Sequence, residues 1–484
     1  MDIACCHCGA LHWFEERVVS RSRHELPAFS LCCDHGQVSL PMPPDPPAFL
    51  KYLFSSSDLQ ATEFRTHIRQ YNASLAFTSL GVALDQSINA GGRAQPIIRI
   101  HGEICHHHGS LLPEDGRTPA YAQLYIYDPQ YALDQRMRRN TNLRRDTMES
   151  LQQLISTSHP YAGLYKPAYQ ILTEYAHVPD VSIRLSLKPS RDLRRYNLPT
   201  ANELAVIMPG DGSDVNAGRD IVLRLNGGGL QRINDGHPAY ACLHYVLFHP
   251  HGEHGWHYNL RMNQLDRENP RRLSQTDYYA YQLQMRRGQF PIILRGGHLF
   301  QQWLVDMWAS AEQNRLNYLR LHQDDIRASL YSGIVDAVHD HAEDLDFSNL
   351  GRRIILPSSF TGGPCHMQQC TQDALALAHY FRKIDIFMTV TCNPQWKEIT
   401  RELLPGQTAT DRPELVAWVF EMKKKAILKD VLKTGVFGRV VAHVYSIEFQ
   451  KRGLPHMHLL IFLDDPYTLR SAADIDTRCL LWLC

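Results

Sequence analysis

The segment from Glu448 to Leu463 constrains this chain more than any other stretch. Strand-like runs flank a Gly453-Leu454-Pro455 break, the second alternating from His456 to Leu459 before an apolar stretch to Leu463, a pattern that predicts an antiparallel hairpin. Successive side chains of a strand face opposite sides, so His456 and His458 share one face while Met457, Leu459 and Ile461 share the other. Gly453 marks the turn. Pro455 falls at the start of the return strand, where a missing N–H does least damage. Folding the hairpin back brings Glu448 across from the histidines. Two imidazoles and a carboxylate on one face form a ligand set for a divalent ion, since imidazole suits Mn, Zn, Ni and similar ions. The plainer reading is an amphipathic edge strand with two exposed histidines. The eight-residue step from Glu448 to His456, with Gly and Pro between, favours the metal site.

Around this hairpin the spacing predicts a helix over Asp373–Phe381, a strand over Ile384–Thr391, a helix over Pro413–Lys433, and strands over Val440–Phe449 and His456–Leu463. That order, β-α-β-β, implies an α+β fold built on an antiparallel hairpin. Helical spacing dominates from about Thr276 to Val338, with Leu299, Trp303, Val305, Met307 and Trp308 spread over a long apolar surface. Further upstream, Ala61–Tyr71 reads as a helix, Ala122–Tyr127 as a strand, and Pro209–Gly218 as a polar loop. His106-His107-His108 reads as a solvated turn, and the run with His249, His251, His254 and His257 offers a ladder of ligands that reads more simply as structural.

At 484 residues the chain has room for about three domains of ~150 residues. A Pro-rich break over Pro41–Pro47 separates a Cys/His-rich start from the rest. The expected division is a zinc-finger-like module over 1–40, an α+β region over 48–190 and a connecting region over 191–275. A larger domain over 276–463, with its core at about 352–463, and an aberrant tail over 464–484 complete it. In the first module, Cys5, Cys8, Cys32 and either Cys33 or His35 fit the four-ligand rule of structural Zn2+; free cysteines are the alternative.

Fifty basic residues balance fifty acidic ones, so no whole-chain field advertises a nucleic-acid partner, and any such binding must rest on local patches. Lys423, Lys424, Lys425, Lys429 and Lys433 offer either a solvated face or a phosphate-tracking patch. The start lacks the basic and apolar regions of a signal peptide, and no apolar run approaches the ~18 residues of a membrane span. An intracellular protein with reduced thiols is the expectation, with no membrane partner and no small-molecule substrate.

The segment Glu448–Leu460 resembles the HUH motif of rolling-circle replication initiators, and the stretch Glu448–His458 resembles its Helitron version in particular. Ile384–Trp396 resembles the family's first initiator motif, and Arg352–Phe360, Leu299–Asp306, Arg219–Leu223, Phe64–Leu80 and Cys8–Trp13 are similar to other Helitron stretches. The resemblance covers nearly the whole chain. It implies a transposition initiator that binds, nicks and transfers single-stranded DNA at transposon ends in the nucleus. It further implies that an ion on His456, His458 and Glu448 polarises the scissile phosphate while a tyrosine attacks, leaving a 5′-phosphotyrosine and a free 3′-hydroxyl. The family's N-terminal module supports the zinc assignment. Phe387, Trp396 and Phe449 are candidates for base stacking, although Phe387 and Phe449 read more simply as buried core.

The departures carry expectations too. The family's tyrosine stands on a helix after the hairpin, whereas Tyr467 follows Asp464-Asp465-Pro466 directly, so no catalytic nucleophile is assigned. No Gly-x-x-x-x-Gly-Lys-Ser/Thr loop of the fused helicase occurs in the sequence. Gly362–Met367 and Ile384 also differ from the family pattern. A truncated copy, defective in nicking, is expected; the alternative is a noncatalytic DNA-binding remnant.

Overall fold

The computed structural model describes residues 1–18, 27–84, 100–174, 181–185, 205–209, 221–225, 230–264, 267–323, 356–450, 453–469 and 471. Expectations placed on 210–218, 324–338, 352–355, Lys451, Arg452 and 472–484 lie outside them. The chain is α+β, mixing helices with small antiparallel sheets. It divides into two units, Met1–Ser310 with Gln395–Leu415, and Ala311–Pro394 with Val416–Cys484.

The first unit starts with a small hairpin, β1 (Ile3–Ala4) and β2 (Leu11–His12). Helices Ala48–Ser55, Leu59–Thr66 and Ile68–Leu75 follow. The Asp58 carboxylate caps the second by accepting from the Gln60 and Ala61 amides. The single helix expected over Ala61–Tyr71 is therefore two, broken at His67, whose backbone (φ −107°, ψ 18°) leaves the helical region. Phe64, Ile68, Tyr71 and Leu75 still make one buried stripe. Ala122–Tyr127 is a 3-10 turn over Tyr121–Tyr125 and not a strand. The Gln123 side chain caps the Ala120 amide at 2.9 Å, and Asp128 already starts the helix Pro129–Arg139, which leaves a strand no room. Helices Arg145–Ser158 and Ala162–Glu174 complete this layer.

Strands β3 (Ser79–Leu84) and β4 (Ile100–His108) join β8 (Gln231–Ile233) in one antiparallel sheet; β5 (Val181–Leu185), β6 (Ala205–Pro209) and β7 (Ile221–Arg224) form another. The solvated turn expected at His106-His107-His108 is instead the end of β4, with His106 and His108 buried on one face. His106 Nε2 lies 2.7 Å from Asp306 Oδ2 and its Nδ1 lies 3.0 Å from the Tyr240 carbonyl. A partner two hundred residues away converts a polar run into core. Leu299, Trp303 and Met307 form the buried stripe of the helix beginning at His298, whereas Val305 and Trp308 are exposed, so the expected apolar surface is one face only.

In the second unit the helix expected from Asp373 begins earlier, at Pro364, because proline at the first helical position has no amide to satisfy. It ends at Phe381 and leads to β9 (Ile386–Thr391). The helix from Pro413 ends at Lys429, short of the expected Lys433; a π-type turn over Asp430–Thr434 finishes it, and Gly435 closes it in the left-handed conformation. Then come β10 (Val440–Phe449) and β11 (Pro455–Leu463). The sheet order is β10-β11-β9, fully antiparallel, so β11 is central. Met457, Leu459 and Ile461 are fully buried on one face of it. The ammonium of Lys424 sits 5.2 Å over the ring of Tyr445, cross-strand neighbour of Leu459, so the helix Pro413–Lys429 covers that face. Phe462 packs on Phe381 at 5.4 Å.

Candidate metal centres

The opposite face of this sheet carries the first centre. Register pairs Glu448 with His456 across β10 and β11, and pairs His456 with Thr391 and His458 with Thr389 across β11 and β9. Directly opposed residues share a face, so all five point the same way. The hairpin turn sets this register: Gly453 takes φ 74°, its amide donates to the Gln450 carbonyl at 2.8 Å, and the Gln450 amide donates to Leu454 at 2.9 Å. Glu448, His456 and His458 each offer a ligand atom, and the three atoms lie within 4.8 Å of one another. Ion–ligand bonds of ~2.0–2.2 Å place neighbouring ligands about 3–3.5 Å apart, so a side-chain adjustment closes the group on one ion.

Local contacts hold the ligands. His458 Nε2 is 3.0 Å from Glu448 Oε1, and His456 Nδ1 is 2.7 Å from Thr391 Oγ1. The His458 hydrogen bond, with the charge of both imidazoles, holds the Glu448 carboxyl below the usual range. The two rings meet edge to face at 4.5 Å. Glu448 is exposed, His458 half-buried and His456 buried, which leaves the centre open on one side. Open coordination positions are what a substrate oxygen needs.

The second centre lies in the first unit. The Sγ atoms of Cys5, Cys8, Cys32 and Cys33 all lie within 4.8 Å of one another. The Cys5–Cys33 and Cys32–Cys33 separations are 3.8 and 3.7 Å. A tetrahedron of ~2.3 Å Zn–S bonds has sulfur–sulfur edges of about 3.8 Å, so the donor set fits such an ion and could hold a metal such as zinc. Two tight turns present the sulfurs. In the first, the Gly9 amide donates to Cys5 O at 2.9 Å and the Cys5 amide to Ala10 O at 2.7 Å. In the second, the Gly36 amide donates to Cys33 Sγ at 3.3 Å. Asp34 and His35 both take positive φ there, turning the chain away, and the sulfur of Cys33 stands in the group where His35 does not. Hydrogen bonds from the Cys32 and Cys33 thiols bring the Cys8 thiol down to about 6, and the Cys33 and Cys5 contacts push Cys32 up. Arg286 backs the cluster, donating from Nε to Cys8 O at 3.2 Å.

Residues 278–461 match the family described as Helitron helicase-like domain at N-terminus. This region is similar to a Helitron helicase-like domain. No curated protein matches the chain. The match relates the chain to Helitron transposon proteins and suggests association with nucleic acid. All three ligands of the sheet centre fall inside the Helitron helicase-like region, whereas the four cysteines precede it.

Within that region two aromatics overturn their expected burial. Phe387 is 61% exposed and Phe449 66%. Phe387 opposes Leu460 on the open histidine face, and Phe449 ends the edge strand β10, so neither meets a covering layer. Trp396 is half-buried. The lysine helix is not a uniform cationic face: Lys424 is buried, and Glu421 pairs with Lys424 at 2.6 Å and Lys425 at 3.7 Å. Tyr467 packs its ring against Gly438, beyond the end of β11 opposite to the histidines. Upstream of the region, burial pushes His249 and His257 down to about 4 and His254 down to about 3. None of them joins a metal-ligand group among the described residues. Among the described residues no helix is long and apolar enough to cross a membrane.

Proposed function

We propose that this chain handles single-stranded DNA for Helitron transposition, gripping a backbone phosphate at an ion held by Glu448, His456 and His458. The observation that carries the reading is the convergence of these three side chains on the open face of the sheet, within 4.8 Å. A bound Mg2+ or Mn2+ would supply positive charge to a nonbridging phosphate oxygen. The chain's own residues do the rest. The hairpin register fixes where the phosphate sits, and exposed Phe387 beside His458 offers a flat apolar surface to a base. Zn2+ on the four cysteines has a structural part in this reading, holding the two N-terminal turns together.

Strand cleavage needs a tyrosine oxygen in line with the leaving 3′-oxygen, and a misplacement of about 1 Å can cost a hundredfold. The packing of Tyr467 on Gly438 favours a second reading, DNA binding without nicking by that residue.

Fluorescence anisotropy with labelled single-stranded oligonucleotides tests the proposal. Binding should rise with Mn2+ or Mg2+, fall with chelator, and be lost in His456→Ala and His458→Ala. Binding indifferent to ion and to both substitutions would overturn it. Confinement of the tagged chain to the nucleus would accord with action on transposon DNA.

A further inference from the structure

His456 stands between two direct cross-strand neighbours, Glu448 on β10 and Thr391 on β9. Its contact with Thr391 is short, 2.7 Å from Oγ1 to Nδ1, and the imidazole is 9% exposed. His458 is held differently: its Nε2 meets Glu448, and its ring lies parallel to Phe387. The two histidines thus have unlike supports, and the Thr391 hydroxyl meets the second nitrogen of His456.

We infer that Thr391 is a positioning residue for the ion at this centre: its hydroxyl accepts the Nδ1 proton of His456 and so keeps the lone pair on Nε2. The inference rests on the ion-binding reading above. An imidazole has one protonated and one bare nitrogen when neutral, and only the bare one ligates. With Nδ1 engaged by Thr391, the nitrogen left for an ion is Nε2. For Nε2 to carry the lone pair the proton must sit on Nδ1, which makes the threonine oxygen the acceptor. Partners of this kind on the far nitrogen fix ring orientation and tautomer of metal-bound histidines. Threonine suits the task because its branched Cβ restricts χ1, so the hydroxyl is already aimed. Its strand position matters equally, since register puts this side chain opposite His456 and no other imidazole.

The test is calorimetric titration of Mn2+ into the full chain with zinc already supplied, comparing the parent with Thr391→Val, Thr391→Ser and His456→Ala. Valine keeps the shape and strand preference and removes the hydroxyl; serine restores it. The expected result is a loss of Mn2+ affinity of about 10- to 100-fold in Thr391→Val, the range for such outer partners. Thr391→Ser should recover most of it, and His456→Ala should abolish binding. Equal affinity in the parent and Thr391→Val would overturn the role of Thr391 while leaving the ion site standing. A serine variant as weak as the valine variant would also overturn it, since the hydroxyl would then not be the active feature. A parent chain that takes up no Mn2+ would overturn the ion-binding reading itself, and this inference with it.

Discussion

The ring of Phe387 lies parallel to that of His458, with 2° between their planes and 5.7 Å between their centroids. An exposed phenyl beside a candidate metal ligand has no packing reason to be there, since its other face meets solvent. A base stacked on it would extend the row. Such stacking is worth about 1–3 kcal/mol per base, so Phe387→Ala should weaken single-strand binding by roughly 5- to 150-fold, while Phe387→Trp should retain it. Anisotropy titrations at fixed salt and saturating Mn2+ decide this. Equal affinity in the alanine variant would show that the ring only supports His458.

The four-cysteine centre makes a separate prediction. Metal binding and folding are coupled when ligands come from two turns with little other structure, so removing the ion should loosen the N-terminal module. Cys8→Ser should lower the zinc content of purified protein and its thermal midpoint together. Cys6→Ser should change neither, because Cys6 is exposed and stands outside the group. Zinc released by a thiol reagent and read with a chromogenic chelator gives the stoichiometry. A full complement of zinc in Cys8→Ser would count against the assignment.

How far the sequence already carried this structure depends on how local each feature is. The bounds of β10 could be read because alternation and a glycine turn are properties of neighbouring residues. The register of β9 against β11 could not, because it joins positions some seventy residues apart. The exposure of Phe387 and the contact of Thr391 with His456 therefore leave no trace in the pattern. The same distinction explains His106, whose partner Asp306 lies on a remote helix. The cysteine spacing narrowed the fourth ligand to Cys33 or His35; the positive φ at Asp34 and His35 separates them, and no residue type there announces it.

Buried histidines give the first unit a pH dependence with a definite sign. Burial lowers His108, His237, His249 and His257 to about 4, and His159, His244 and His254 to about 3. Unfolded histidine takes up its proton near pH ~6.5. Between these values the unfolded chain binds more protons than the folded one, so stability is present above about pH 6.5 and is lost as the pH falls toward 4. Glu253 opposes this, since burial raises its carboxyl to about 7 and the folded state keeps a proton the unfolded state releases. One carboxyl against seven imidazoles leaves the histidines in command. The thermal midpoint should drop steadily on acidification from pH 7 to pH 5, with the decline shallower in His159→Gln. A midpoint that holds or rises over that interval would refute the argument.

The final prediction concerns Tyr467. Its ring occupies the space beside Gly438, where even a Cβ on that glycine would come within 2.5 Å of it. Residue 438 precedes β10, and Tyr467 follows Leu463 at the end of β11, whereas His456 and His458 lie near the start of β11. The span from His458 to Leu463 is five strand residues at about 3.3 Å each, or ~16 Å, too far for a phenolic oxygen to reach a phosphate held at the histidines. Incubation with single-stranded DNA and Mn2+, followed by denaturing electrophoresis, should therefore give the same amount of covalent protein–DNA adduct in Tyr467→Phe as in the parent chain. Gly438→Ala, which must displace the ring, should destabilise the fold without creating an adduct. An adduct formed by the parent and absent only from Tyr467→Phe would mean that the turn after β11 rearranges on DNA and delivers this tyrosine to the ion.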